Sequence, residues 1–340
     1  MKNYQDCLSL IVCKNPSEEC FRTTCKSCPG IDGLYDYLDD IFQDTEATQI
    51  IFKQWINEPR CTLDTLTKSI EEFKDYFCDS IENLLTHDFI CKEQHKYINN
   101  LKKNLRKGEF MCQLDFAENY AFVVQNAAQA FHWNNNQATI FTAVVYYTVG
   151  HELKNINFIV TSDNLIHDAV AVYTYIEKIV IFLKKNFKPV KKIYYVSDGA
   201  PQQFKNYKNI LTIYNHKKDF KVDVEWDFFP TAHGKGACDG LGGSAKRGAA
   251  SASLQLPPDK QILTPISLHN WFTSSGRFKN VNFIYSSKSD YLKNEKKLEK
   301  RFENDSRVKD LRKQHCVIPK KNGVECKNYS NAKIVQFDRL

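Results

Sequence analysis

The chain of 340 residues lacks any apolar stretch long enough to cross a bilayer, since its apolar runs at 138–148 and 155–160 are short and bounded by polar residues. This argues against a membrane partner. It also lacks a basic N-terminal region leading into an apolar segment, which argues against a secretory signal. The twelve cysteines are therefore read as reduced intracellular thiols rather than a disulfide framework. No stretch repeats itself and no collagen-like or Gln/Asn-only tract occurs, which excludes solenoid and low-complexity architectures. A strong charge of one sign is missing too. The formal net charge of +7 is compatible with a nucleic-acid partner but does not demand one, so local clusters weigh more than the total.

What is present suits a folded protein. Hydrophobic residues make up 42% and charged residues 26%, and 23 Phe with 17 Tyr supply a sizeable core. The length admits one large domain or two ordinary ones.

Four stretches follow from the pattern. Residues 1–30 form a cysteine-rich segment, and 31–107 read as helical. In the latter, Ile31, Leu34, Tyr35, Leu38 and Ile41 recur at 3–4 spacing, and Leu63 to Leu85 continues it through Leu66, Ile70, Phe73, Phe77, Ile81 and Leu84. From Phe110 the pattern turns to β. FMCQLDFAENYAFVV, ATIFTAVVYYT and INFIVTSD predict three antiparallel strands. A helix over 167–187 stopped by Pro189, a strand KKIYYVSD, a helix after GAPQQF, a strand VDVEWDFFPTA and a small-residue helix after CDGLGG complete 108–260. Residues 261–340 read as an extension of mixed structure, with a charged stretch KNEKKLEKRFENDSRVKDLRKQH as a solvated helix or partly disordered segment. The order of three strands, helix, strand, helix, strand, helix resembles the RNase H-like fold, a mixed five-stranded α/β sheet flanked by helices.

In such an order Asp115 lies within strand one, Asp198 ends strand four and Asp239 falls in the helix after strand five. Carboxylates gathered there suit two Mg²⁺ or Mn²⁺ ions, the arrangement that cuts phosphodiesters. Each acid has a plainer account: Asp115 as an outward residue of a half-exposed strand, Asp198 as an Asp-Gly turn, Asp239 as a helix cap. Glu118, Asp163, His167, Glu225 and His233 compete for the third place.

The blocks LDFAENY, QAFHWNNNQAT, SDGAPQQFKN, FFPTAHGKGACDGLGG, AKRGAASASLQ and CKNPSEECFRTTCKSCPG are similar to blocks of a group of transposon-derived invertebrate proteins that resemble DDE-type transposases with an RNase H-like core. The resemblance runs from Cys13 to about Tyr285. It implies DNA cleavage and strand transfer by two-metal catalysis, with Asp115, Asp198 and Asp239 as catalytic acids and Mg²⁺ ligands, a nuclear location, and homo-oligomers on DNA. The third acid is Asp where many such transposases have Glu. Two alternatives stand beside this reading: a DNA-binding or interaction protein of transposase descent that has lost catalysis, and an RNase H-like nuclease.

Cys13, Cys20, Cys25 and Cys28, spaced by six, four and two residues, have the composition of a closed structural Zn²⁺ site, with a reduced cysteine-rich loop as the plainer account. His233, Lys235, Lys246 and Arg247, clustered around Asp239, are candidates for nucleic-acid contact.

Overall fold

A computed structural model describes residues 2–57, 60–124, 136–230, 234, 236–303 and 307–340. The chain divides into two compact units, Met1–Lys92 and Glu93–Leu340.

The first unit begins with helices α1 (Tyr4–Ile11), α2 (Glu18–Phe21) and α3 (Asp32–Phe42). The Asn3 side chain caps α1 by accepting from the Gln5 and Asp6 N–H groups. Leu8, Ile11, Leu34 and Leu38 pack with Cys78, Ile81 and Leu85 of the long helix α4 (Ile70–Lys103). The expectation of continuous helix over 31–107 is corrected here. Strands β1 (Gln49–Asn57) and β2 (Cys61–Ser69) form an antiparallel hairpin in unbroken register from Gln49↔Ser69 to Asn57↔Cys61. Leu63 and Leu66 belong to β2, where Thr62, Thr65 and Thr67 favour extended backbone. Their spacing to Ile70 happens to continue the helical period of α4.

The second unit is a mixed α/β layer structure. Strands β3 (Glu109–Phe116), β4 (Tyr120–Ala121), β5 (Gln137–Val149) and β6 (Glu152–Ser162) lead into α5 (Ala169–Asn186), β7 (Lys192–Ser197), α6 (Tyr207–Phe220), β8 (Asp223–Phe228) and α7 (Ala237–Gln255). Then come α8 (Pro265–Ser274), β9 (Val281–Ser286), α9 (Lys288–Phe302), β10 (Cys316–Lys320), β11 (Gly323–Lys327) and β12 (Gln336–Arg339). Among the described residues the sheet has ten strands in the order β12-β11-β10-β8-β7-β3-β5-β6-β9, with β4 on β5. The expected five strands are its centre. The chain after α7 widens it at both edges, because β9 pairs in parallel with β6 and β10 pairs antiparallel with β8.

Alternation along the strands distributes the two faces. Phe110, Cys112, Leu114 and Phe116 point to the side covered by α5, α6 and α9, where Tyr173, Ile176, Ile213, Trp226 and Leu298 complete the main core. Ile140 and Ile159 face the other side, under Ala245 and Ala249 of α7 and Leu268 and Phe272 of α8. The first part of the charged stretch lies in helix α9, whose charged side chains are mostly exposed, as expected of a solvated helix. Tyr291, Asn294 and Leu298 are buried along one side of α9, and Arg301 makes a bidentate pair with Asp219 at 2.9 and 3.0 Å.

A buried histidine ties α6 to the sheet. His216 Nδ1 donates to the Val222 carbonyl (2.9 Å) and Nε2 accepts from the Tyr195 hydroxyl (3.1 Å). Burial holds His216 down at about 4. The unfolded chain, with an ordinary histidine near pH 6.5, therefore binds the extra proton first as pH falls. Stability that is complete above pH 6.5 is lost between pH 6.5 and about 4, by roughly 3 kcal/mol at the acid end. His216→Gln removes that limb: the difference between wild-type and variant stabilities, followed by urea unfolding from pH 7.5 to 4, narrows steadily as the pH drops.

Candidate functional site

On β3 the odd-numbered residues point away from the main core, so Asp115 lies on the α7 side of the sheet. β3 and β7 run parallel in a register that sets Gln113 beside Val196. The same offset carried two residues further brings Asp115 level with Asp198, just past the carboxyl end of β7. Acids at the ends of adjacent parallel strands are where ligands collect in open α/β sheets. Asp239 arrives from the first turn of α7. Thr142 of β5 links the Asp115 and Asp239 segments, its hydroxyl lying 3.3 Å from both the Asp115 and the Cys238 carbonyls, and the Cys238 thiol lies 3.3 Å from the Gln113 carbonyl.

The three carboxylates influence one another electrostatically. Burial, then the charges of Asp198 and Asp239, push Asp115 up to about 7, against a smaller opposing effect of the Phe116 N–H. Burial also raises Asp198, an effect countered by the Ala200 N–H, which donates to its Oδ1 at 3.1 Å, and reinforced by Asp239. A cation between these groups would relieve the repulsion and the desolvation together, so the donor set fits hard divalent ions. Asp239 is exposed, and its Oδ2 accepts from the Gly236 N–H at 2.8 Å. The three carboxylates form a looser group than the two tighter clusters among the described residues, in which every ligand atom lies within 4.8 Å of the others.

Two glycines in or just before CDGLGG closely approach neighbouring side chains. A Cβ on Gly236 would sit 2.1 Å from the Gln113 side-chain nitrogen, and one on Gly242 would sit 3.2 Å from the Ala117 Cβ and 3.6 Å from the Thr142 methyl. Gly242 thus lets α7 settle onto β3 and β5 beside Asp115. Gly242→Leu should cost about 1–3 kcal/mol through overpacking and lift the start of α7. Thermal melting checks the first effect. The second should weaken the Mg²⁺-induced rise in melting temperature.

Four of the competing acids and bases have other partners or surroundings. Glu118 points into solvent with Lys246 3.9 Å away. Asp163 Oδ1 accepts from the Lys288 N–H at 2.5 Å. His167 stacks on Phe116 at 4.3 Å between ring centres and bonds Asn119 and Thr139. Glu225 is buried in a separate cluster. Of the candidate nucleic-acid contacts, Lys246 is half-buried and Arg247 lies exposed along α7 beside Gly243, whereas His233 and Lys235 lie outside the described residues. Lys205, close to Gly199, is nearly buried and donates to the Arg312 carbonyl at 3.0 Å. Gln113 and the buried Asp227–Cys316 pair were not singled out by sequence. The signal for Asp227 was available, since VDVEWDFF places two acids at i and i+2 of an apolar strand.

In the first unit Cys13 follows α1, Cys20 lies in α2, and Cys25 and Cys28 occupy the turn before α3. Their sulfurs all lie within 4.8 Å of one another, with Cys13 3.9 Å from Cys25 and 3.8 Å from Cys28. The Gly30 N–H closes the turn onto the Ile11 carbonyl, with Gly30 itself at φ +68°. Hydrogen bonds from the Ser17 hydroxyl and N–H (3.6 and 3.4 Å) pull Cys20 down to about 6, while the neighbouring thiols, Cys28 foremost, push Cys13 up to about 12. Cys20 forms a thiolate readily, whereas Cys13 and Cys28 resist unless a cation gathers them. The set can hold a metal.

Fold and sites together define a mixed α/β protein with three aspartates near the strand ends and a four-cysteine cluster near its start. Residues 94–330 match the family described as Domain of unknown function (DUF8701), and the chain belongs to that family. Residues 1–85 match a second one, Domain of unknown function (DUF8700). No curated protein and no solved structure matches the chain.

Proposed function

We propose that the chain is a transposase-like nuclear enzyme with an RNase H-like core, which cleaves and joins DNA phosphodiesters with two divalent ions. The observation that carries this reading is the meeting of Asp115, Asp198 and Asp239, from two adjacent parallel strands and one helix, closely enough that the other two charges raise Asp115. The central strand order β6-β5-β3-β7-β8, antiparallel on one side of β3 and parallel on the other, supports the RNase H-like assignment.

Asp115, Asp198 and Asp239 would hold Mg²⁺ or Mn²⁺, which would activate the attacking water or 3′-hydroxyl and stabilise the departing 3′-oxygen. The residues set the geometry: sheet pairing fixes Asp115 on β3, Asp198 follows directly from β7, and Thr142 and Gly242 hold α7 so that Asp239 would reach them. Lys246 and Arg247, one and two positions past Ala245 on the same helix, would meet the DNA backbone. The Cys13–Cys20–Cys25–Cys28 cluster would take Zn²⁺ and order the first unit. The enzyme would work as an oligomer on DNA ends.

The test is a nicking and strand-transfer assay with the purified chain on duplexes carrying the terminal sequences of its own element. Mg²⁺-dependent cleavage confined to those ends supports the transposase. Cleavage of RNA–DNA hybrids instead would indicate a nuclease, and binding without cleavage a descendant that has lost catalysis.

A further inference from the structure

We infer that Glu225, Asp227 and Cys316 form a third, buried metal site that takes one divalent cation of borderline softness, with Zn²⁺ as the probe. Glu225 and Asp227 are i and i+2 on β8 and so share a face. The antiparallel pairing of β10 with β8 sets Cys316 directly opposite Asp227. Their ligand atoms all lie within 4.8 Å of one another, and the three residues are 6%, 0% and 0% exposed. Acids are rarely this deep unless paired or bound to metal.

The partners of each group leave a specific gap. Glu225 is provided for: Lys192 Nζ lies 2.7 Å from its Oε2 and the Tyr97 hydroxyl donates to its Oε1. Asp227 is half provided for, because the Ser330 hydroxyl donates to Oδ1 at 2.5 Å whereas Oδ2 has no conventional partner. What faces this carboxylate is the Cys316 thiol, a weak donor and itself a metal ligand type. The charges close on a divalent ion. Lys192 cancels Glu225, and the Asp227 carboxylate with a Cys316 thiolate leaves two negative charges for the cation. On binding, the Cys316 thiol releases its proton to solvent, and a mixed sulfur and oxygen set favours Zn²⁺ over Mg²⁺ or Ca²⁺. The bound ion would bolt β10, and with it β11 and β12, to the centre of the sheet.

The site is separate from the four-cysteine cluster and from the aspartate cleft, and zinc counting distinguishes them. The full chain is loaded with Zn²⁺, dialysed against excess Mg²⁺ to keep zinc out of the cleft, and measured by elemental analysis. We expect about two zinc per chain in the wild type and about one in each of Cys316→Ser and Cys25→Ser. Asp227→Asn, which keeps the side-chain shape, should likewise bind about one, in case Cys316→Ser fails to fold. Co²⁺ bound to folded Cys25→Ser should show thiolate charge-transfer absorption that Cys316→Ser in the same background lacks. A wild-type zinc content that is unchanged by Cys316→Ser and Asp227→Asn, or abolished by Cys25→Ser alone, overturns the inference. A zinc content lowered by Cys316→Ser and Asp227→Asn but unchanged by Cys25→Ser would instead count against the four-cysteine site.

Discussion

Asp115→Asn is expected to lower Mg²⁺-dependent DNA cleavage by at least roughly 10²–10³-fold, the scale on which one preorganised electrostatic group contributes to a transition state. Asparagine keeps the volume and the place on β3 while withdrawing the negative charge. The same change should stabilise the metal-free protein. The folded Asp115 titrates at about 7, far above an unfolded aspartate, so the unfolded chain loses its proton first as pH rises. The folded state is therefore penalised progressively between about pH 4 and 7 and fully above pH 7, by roughly 4 kcal/mol. In chelator at pH 8 the variant should melt above the wild type, and the gap should shrink as the pH is lowered toward 4. Added Mg²⁺ should raise the wild-type melting temperature and leave that of the variant almost unmoved. Normal cutting by both Asp115→Asn and Asp198→Asn would falsify the assignment of the cleft as catalytic.

The second large effect concerns the cysteine cluster. Cys25→Ser should reduce zinc affinity there by at least about a hundredfold, since loss of a ligand exceeds the cost of losing a group that merely orients one. The ordering of Cys13, Cys20 and Cys28 relies on that ion in the proposed account, because α1 and α2 are short and their shared core is small. Hydrogen exchange should accelerate across residues 2–42 in the variant or in chelator, while the amides of β3, β5 and β7 keep their protection. Unchanged exchange in 2–42 with zinc removed would show that the cluster packs without metal.

Much of the sheet's centre was legible in the sequence. Strands such as ATIFTAVVYYT and KKIYYVSD are rich in β-branched and aromatic residues and bounded by turn residues, and Pro189 marks the stop after α5. The β1–β2 hairpin was not, because Leu63, Leu66, Ile70 and Phe73 keep one spacing through a change from strand to helix. Nor were the outer strands: β12 has four residues, β10 contains Pro319, and β9 is half-exposed with weak alternation. At the cleft, sequence could nominate Asp115, Asp198 and Asp239, but register and Coulombic coupling are properties of the folded sheet. Glu225 was nominated for the wrong neighbourhood. Its strand position was readable, but not that Lys192, Tyr97 and Cys316 would close around it.

The hydrogen-bonded pairing of β3 with β7 has a mechanical corollary. Neighbouring strands keep a separation of about 4.8 Å, so Asp115 and the strand that leads into Asp198 stand on a rigid ruler. The third rides on a helix seated on the sheet by side-chain packing at Gly242, Ala245 and Ala249 and by contacts of Thr142 and Cys238. Any throttle on the chemistry, whether from a bound DNA end or a neighbouring subunit, would therefore act by sliding α7, with the sheet as the fixed jaw of the vice.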